Sequence, residues 1–222
     1  MGEMIGFRRP DGTDCSGYYA GPAAGERAPG LVVIQEWWGL NDQIKGVADR
    51  LANIGYRALV PDLYRGKVTV EVQEANHLMA NLNFGDAATQ DIRGAVQQLK
   101  KTSPKVGVVG FCMGGALTVL SAVFVKEANA ASSWYGFPPE GAADVKTISI
   151  PIQLHFAEQD QFFVPDQARA LEVKLREGKI NFETYWYKAN HAFGNEKGPY
   201  YNVEAAKLAW QRTTDFFAKH LK

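Results

Sequence analysis

The sequence predicts an α/β fold with a mainly parallel central sheet that is covered by helices on both faces. Short apolar runs alternate with longer amphipathic segments along most of the chain, a pattern typical of strand–helix–strand units. Such units place parallel strands side by side and bury both faces of the sheet. The chain has 222 residues, of which 46% are hydrophobic, and we find no internal repeat. We therefore expect a single domain over residues 1–222.

The first part of the chain predicts an antiparallel hairpin, and six later runs predict strands of the main sheet. Residues 3–22 have the pattern of a small hairpin that leads into the sheet. The later runs are short, apolar and rich in β-branched or aromatic residues, as buried strands are. They are residues 31–35, 56–62, 105–110, 131–136, 150–156 and 181–187.

The segments between these runs predict helices. In residues 41–55, apolar side chains from Ile44 to Ile54 recur on one face, and Asn41 or Asp42 can cap the start. Residues 165–178 begin with proline and end with glycine, as helix termini prefer. The other predicted helices are residues 70–82, 85–100, 114–128 and 202–221.

The composition excludes several classes of protein. Lys plus Arg and Asp plus Glu both total 24, so no excess of positive charge indicates nucleic-acid binding. No apolar run approaches the roughly 18 residues that span a bilayer, and the charged N-terminal residues do not resemble a signal peptide. Two cysteines, Cys15 and Cys112, lie too far apart for a CxxC motif. We expect a cytoplasmic enzyme with reduced thiols and a small-molecule substrate, without a metal or cofactor; its oligomeric state is left open, with a monomer favoured.

Cys112 lies in a glycine-rich turn between a predicted strand and a predicted helix. The stretch from Gly110 to Gly114 has the form of a nucleophile elbow, with cysteine in the position usually held by serine. The turn is sharp, and glycine two residues before and after the nucleophile relieves the crowding. The amides at the helix start favour an anion, so the N–H of Met113 is a candidate oxyanion donor. A structural buried thiol is the competing interpretation.

A cysteine nucleophile needs a base and an acid that orients the base. Among four histidines, His191 follows a predicted strand in a polar loop, whereas His155 lies within a strand, where a core histidine is the default. In enzymes with a nucleophile elbow the order along the chain is nucleophile, acid, base. The acid should therefore follow the strand that ends near residue 156. Asp160 is the preferred candidate and Glu158 the second, while Asp166 is explained as a helix cap.

A third carboxylate, Glu36, stands at the end of the strand over residues 31–35. Two indoles, Trp37 and Trp38, follow it and suggest a desolvated wall of a pocket. The second oxyanion N–H of this type of site comes from the same loop, and Trp37 is the candidate donor. A solvated loop glutamate is the alternative interpretation.

Five motifs together resemble the dienelactone hydrolase family of α/β-hydrolases. They are QEWWGLND, PDLYRG, GFCMGGAL, DQFFVP and NHAFG, and the similarity runs over essentially the whole chain. The resemblance implies the α/β-hydrolase fold, a Cys112–Asp160–His191 triad and a thioester intermediate. It also implies that Glu36 interacts with the resting thiol and helps to activate it when substrate binds. The family hydrolyses dienelactones, which are unsaturated lactones that carry a carboxylate.

The chain departs from this family where the substrate carboxylate is bound. Two arginines hold that carboxylate in the family, but Asn195 stands at one position, and the other falls between Lys67 and Phe84, where no arginine occurs. The nearby cations are Arg65, Lys67 and Lys197. A neutral or larger lactone, ester or thioester is therefore an alternative substrate to dienelactone.

Aromatic residues near these motifs are candidates for an apolar substrate pocket. They are Trp37, Trp38, Tyr64, Phe84, Tyr135, Phe162 and Phe193. The predicted function is hydrolysis of a carboxylic ester or lactone. An acyltransferase or a carbon–carbon hydrolase on the same scaffold, or a non-catalytic ligand-binding homologue, is the alternative, because a fold alone does not determine its reaction.

Overall fold

Strands form the centre of the structure, a computed structural model that describes residues 2–22 and 27–222. The strands are β1 (Glu3–Arg8), β2 (Asp14–Ala20), β3 (Gly30–Ile34), β4 (Arg57–Pro61), β5 (Val106–Phe111), β6 (Ala130–Trp134), β7 (Ile152–Ala157) and β8 (Phe182–Tyr187). Within the described residues they form one eight-stranded sheet in the order β1-β2-β4-β3-β5-β6-β7-β8. β2 pairs antiparallel with β1 and β4, and the other neighbours are parallel. The predicted hairpin and parallel sheet are confirmed.

Helices lie between strands of the sheet and after the last strand. They are α1 (Asp42–Asn53), α2 (Val72–Ala80), α3 (Phe84–Asp86), α4 (Arg93–Lys100), α5 (Met113–Phe124), α6 (Pro165–Glu177) and α7 (Val203–Leu221). At the start of α1 the side chain of Asn41, not of Asp42, accepts a hydrogen bond from the N–H of Ile44 at 3.1 Å. Over the described ranges, no helix has both the length and the apolar character that crossing a membrane requires.

Helices cover both faces of the sheet, as β6 illustrates. The indole of Trp134 donates to Thr213 of α7 at 3.0 Å, whereas the hydroxyl of the preceding residue, Ser133, donates to the carbonyl of Gly115 in α5 at 3.0 Å. Successive side chains of a strand point to opposite faces. The helices α5 and α7 therefore lie on opposite sides of the sheet. All residues of β3 to β7 are buried, as expected for strands covered on both faces.

The segment predicted as one helix over residues 85–100 contains a π-helical turn, Ala87–Ile92, between α3 and α4. This turn carries Asp91, whose side chain is buried and accepts a hydrogen bond from Arg65 at 2.7 Å. Arg65 belongs to the loop after β4, so the ion pair ties that loop to the helix. Hydrophobic periodicity did not reveal the π turn, because the apolar face continues through it.

Candidate active site

The turn between β5 and α5 places Cys112 at the carboxyl edge of the parallel strands. Its backbone has φ +56° and ψ −118°, a conformation that residues other than glycine rarely adopt. The carbonyl of Cys112 accepts hydrogen bonds from the N–H groups of Gly115 and Ala116 at 2.8 and 3.2 Å. The helix therefore begins immediately after the thiol, and the sharp strand–turn–helix geometry is the one that the sequence predicts.

Two glycines make this turn possible. A Cβ atom at Gly110 would collide with the carbonyl of Gly114, and one at Gly114 would lie 2.5 Å from the carbonyl oxygens of both Ile34 and Gln35. These neighbours are backbone atoms, which cannot rotate away as a side chain can. The close approach also brings the start of α5 against the end of β3, which leads into the loop that contains Glu36 and Trp37.

His191 joins Cys112 to Asp160. The Nε2 atom of His191 lies 3.1 Å from the Sγ atom of Cys112, and its Nδ1 atom lies 2.8 Å from Oδ2 of Asp160. The other oxygen of Asp160 accepts hydrogen bonds from the N–H groups of Phe162 and Phe163, both at 2.8 Å. The three predicted side chains thus form one hydrogen-bonded line.

The other two acids lie away from this line. Glu158 and Asp166 are exposed, whereas Asp160 is only 5% exposed. The backbone N–H of Glu158 donates to the carbonyl of Tyr187 at 2.9 Å, and Asp166 lies in the first turn of α6. Of the candidate acids, the structure brings Asp160 to His191.

The imidazole of His191 is enclosed by aromatic rings. Phe163 stacks on it with a centroid distance of 5.5 Å, and Tyr135 presents an edge at 5.4 Å. Burial lowers the pKa of His191, but the hydrogen bonds with Asp160 and Cys112 outweigh it and raise the pKa to about 10. The raised pKa favours a protonated imidazole between the two groups.

Glu36 is buried at the end of β3 but is engaged away from the thiol. One carboxylate oxygen accepts from the hydroxyl of Tyr135 at 3.2 Å, and the other accepts from Nδ2 of Asn195 at 2.6 Å. Burial raises the pKa of Glu36, while the hydrogen bond from Asn195 and the charge of His191 oppose this. The expected pairing of Glu36 with the resting thiol is corrected here, since the thiol contacts His191 and both Glu36 oxygens have other partners.

The two candidate oxyanion donors lie in segments that meet at the elbow. Met113 is the first residue of α5, and the first four N–H groups of a helix have no partner within the helix. Trp37 lies in the turn after β3, and the end of β3 lies close to Gly114, where a Cβ atom would be 2.5 Å from the carbonyl oxygen of Ile34. The N–H groups of Met113 and Trp37 stay the predicted oxyanion donors.

Comparison with known proteins identifies the family. The dienelactone hydrolase family model matches residues 15–221. "Protein usf" of Aquifex pyrophilus is 36% identical over the full length of both chains, and the "Putative carboxymethylenebutenolidase" of Aquifex aeolicus is 32% identical, also over the full length of both. The chain belongs to the dienelactone hydrolase family.

A crystal structure from Klebsiella pneumoniae, described as a "Putative Dienelactone Hydrolase", has the same fold. It superposes with a TM-score of 0.86 at 23% identity and covers 99% of this chain and 100% of its own. The predicted α/β-hydrolase fold is thereby confirmed. As a member of the dienelactone hydrolase family, the chain is a hydrolase that acts on ester or lactone bonds.

The aromatic residues predicted to line the pocket of this dienelactone hydrolase family member differ in exposure. Trp37, Trp38 and Phe84 are half-buried and Phe162 is 65% exposed, and the rings of Trp37 and Trp38 lie 4.9 Å apart. Tyr64 is buried, and its hydroxyl lies 3.2 Å from the sulfur of Met113.

Two of the predicted pocket residues lie behind the wall of the site, and this corrects their assignment as lining. Phe193 has no exposed surface, and Tyr135 is 1% exposed. The ring of Phe193 packs against Trp134, Tyr135 and Tyr187 at centroid distances of 5.8, 5.1 and 4.9 Å. Sequence reasoning missed Asn195 and Tyr135 as the donors to Glu36, because residues so far apart in the chain carry no local signal of the contact.

Arg65, one of the three candidate cations for a substrate carboxylate, is already paired in this dienelactone hydrolase family member. It donates to Asp91 at 2.7 Å and to the carbonyl of Asp62 at 2.8 Å, and it lies 3.4 Å from the sulfur of Cys15. Burial raises the pKa of the Cys15 thiol to about 12, which disfavours the thiolate form that a nucleophile needs. Lys67 and Lys197 are exposed.

Proposed function

We propose that the chain hydrolyses carboxylic esters and lactones through a Cys112–His191–Asp160 triad and a thioester on Cys112. One observation carries the proposal: His191 lies within hydrogen-bond distance of both the sulfur of Cys112, at 3.1 Å, and a carboxylate oxygen of Asp160, at 2.8 Å. Acyl transfer needs this combination of nucleophile, base and orienting acid. The relatives, among them the "Putative carboxymethylenebutenolidase" of Aquifex aeolicus, support the substrate class.

Acylation begins from the pair of Cys112 and His191. With the proton on His191, the sulfur carries the negative charge and attacks the carbonyl carbon. The N–H groups of Met113 and Trp37 hold the oxyanion that forms. The carbon–oxygen bond then breaks, and His191 gives its proton to the leaving oxygen. In a lactone the leaving oxygen stays attached to the acyl group, which remains on Cys112 as a thioester.

Deacylation uses the same residues in reverse. Neutral His191 takes a proton from water, and the hydroxide that forms attacks the thioester carbonyl. The carbon–sulfur bond breaks, and the negative charge returns to the sulfur beside protonated His191. Asp160 holds the imidazole in one orientation through both steps, because its second oxygen is fixed by two backbone N–H groups.

The test is steady-state hydrolysis of p-nitrophenyl acetate and ring opening of cis- and trans-dienelactone. We expect Cys112→Ala to lower kcat/KM by about 10³-fold or more, because the nucleophile is removed. Cys15→Ala is the matched control, since it removes the other thiol, and it should leave kcat/KM within about twofold. Circular dichroism checks that both variants are folded. Full activity in Cys112→Ala would refute the triad.

A second measurement detects the thioester. In His191→Ala the acyl group should form on Cys112 slowly and be removed still more slowly, because no base activates water. Intact mass spectrometry after exposure to p-nitrophenyl acetate should then show one added acetyl group. The addition should be absent in the double variant Cys112→Ala/His191→Ala. Acetylation that persists in the double variant would place the intermediate elsewhere.

A further inference from the structure

We infer that the site selects substrates with an uncharged acyl group, and that Glu36 is the residue that rejects an acyl group carrying a carboxylate. This inference rests on the proposed function, because it names the substrate class of that site. It is carried by the charges and contacts around Cys112.

The charges around the thiol sum to a negative value. Cys112 and His191 are neutral as a pair, whichever of them holds the proton between them. The Sγ atom of Cys112 and the Nε2 atom of His191 are 3.1 Å apart. Asp160 adds a negative charge, since its oxygens accept three hydrogen bonds and donate none. Glu36 adds a second negative charge, because each of its oxygens accepts a hydrogen bond, one from Tyr135 and one from Asn195, as an ionised carboxylate does. An anionic acyl group would therefore enter a site of its own sign.

The partners of Glu36 do not neutralise it. Both are uncharged donors, the hydroxyl of Tyr135 at 3.2 Å and the amide of Asn195 at 2.6 Å. Glu36 is only 5% exposed, so solvent screens its charge weakly. His191 favours the ionised form of Glu36 and the charge of Glu196 opposes it, and His191 is already shared between Asp160 and Cys112.

The three candidate cations for a substrate carboxylate are paired or exposed. Arg65 is bound to Asp91 at 2.7 Å. Lys67 and Lys197 are exposed, where water and salt screen an ammonium group. The side chains close to the Cys112–His191 pair include aromatic ones, since the ring of Phe162 lies 5.1 Å from that of His191 and the hydroxyl of Tyr64 lies 3.2 Å from the sulfur of Met113.

Three activated esters of similar length separate charge from polarity. They are p-nitrophenyl heptanoate, the mono-p-nitrophenyl ester of adipic acid, and the p-nitrophenyl methyl diester of adipic acid. The first is apolar, the second anionic, and the third polar but uncharged. We expect kcat/KM for the two uncharged esters to exceed that for the anionic ester by about tenfold or more. The reason is that two like charges several ångströms apart repel each other in a partly desolvated site.

The variant Glu36→Gln tests the residue. It removes the charge and keeps the shape. The ratio of kcat/KM for the diester to kcat/KM for the monoester should therefore fall several-fold, even if both rates change. The ratio cancels any general effect of Glu36 on catalysis. The double variant Lys67→Gln/Lys197→Gln is the control, and it should change the ratio little.

Three results would overturn the inference. Equal or better turnover of the anionic ester by the wild type would refute charge selection. In that case, loss of that turnover in Lys67→Gln/Lys197→Gln would assign carboxylate binding to the two lysines. An unchanged ratio in Glu36→Gln would remove Glu36 as the cause. If the wild type hydrolysed none of the three esters and no p-nitrophenyl acetate, the proposed function itself would fail, and the inference with it.

Discussion

Asp160 uses its two carboxylate oxygens for two different purposes. One oxygen is 2.8 Å from Nδ1 of His191, and the other receives the backbone N–H groups of Phe162 and Phe163, each at 2.8 Å. The backbone contacts fix the rotamer, so the carboxylate is aimed at the imidazole before any substrate binds. Buried carboxylates that accept several hydrogen bonds are held in one orientation in this way.

This geometry predicts a contrast between two neighbouring acids. Asp160→Asn should lower kcat/KM for p-nitrophenyl acetate by about 10²- to 10⁴-fold, because an amide favours the wrong tautomer of His191 and cannot stabilise its protonated form. Glu158→Gln should change kcat/KM by less than about twofold, since Glu158 is exposed. An equal loss in both variants would assign the orienting role to Glu158 or to the loop as a whole.

At the scale of elements, the nucleophile elbow depends on how closely β5 and α5 approach β3. Gly114 is the point of contact, because its missing side chain lets the helix start lie against the carbonyl oxygens of Ile34 and Gln35. The strand, the helix and the loop with Glu36 therefore share one fixed junction. Any substitution that separates them moves the thiol and the candidate oxyanion donors together.

Gly114→Ala should destabilise the protein by about 2 kcal/mol or more, because the new methyl group has no space between backbone atoms. It should also lower kcat/KM. Gly46→Ala is the matched control within α1, where a Cβ atom meets nothing within 4 Å. That change should stabilise the protein by about 0.5–1 kcal/mol, since alanine is the better helix former. Urea denaturation compares the two, and similar stability of Gly114→Ala and the wild type would contradict the packing described.

At the scale of the whole molecule, the sequence predicted the α/β class, the hairpin and the elbow correctly. These features have local signals, such as apolar runs of strand length and glycines around Cys112. The partners of Glu36 could not be predicted, because Tyr135 and Asn195 are 99 and 159 residues away along the chain. Phe193 was assigned to the pocket for a similar reason, since a loop has no periodicity that separates a core side chain from a lining one.

A buried polar network joins the strands β7 and β8 to the helix α7. Nδ1 of His155 in β7 lies 2.8 Å from the hydroxyl of Tyr187 in β8. Its Nε2 lies 2.8 Å from Gln153 and 3.0 Å from Thr213 of α7. His155 is completely buried, so it is the core histidine that its place within a strand predicted. Every ring nitrogen has a partner, which allows the neutral imidazole to remain in the core.

This network predicts how stability depends on pH. Burial, with the nearby charge of Arg212, lowers the pKa of His155 to about 3. An unfolded chain binds a proton there near pH 6.5, so the unfolded state binds more protons between about pH 6.5 and 3. The contribution of His155 to stability is therefore fully present above about pH 6.5 and falls as the pH decreases toward 3, by up to about 1.4 kcal/mol per pH unit.

The variant His155→Gln isolates this effect from the titration of the carboxylates. The substitution should destabilise the protein at pH 7, because it disturbs the contacts with Tyr187 and Thr213. Its free energy of unfolding, measured with urea, should nevertheless fall less steeply than that of the wild type between pH 6 and 5, by about 1 kcal/mol over that unit. Titrations that both proteins share cancel in this difference. Parallel pH profiles for the two proteins would mean that His155 is protonated in the folded state, and that the last helix is held to the sheet by a charged histidine instead of a neutral one.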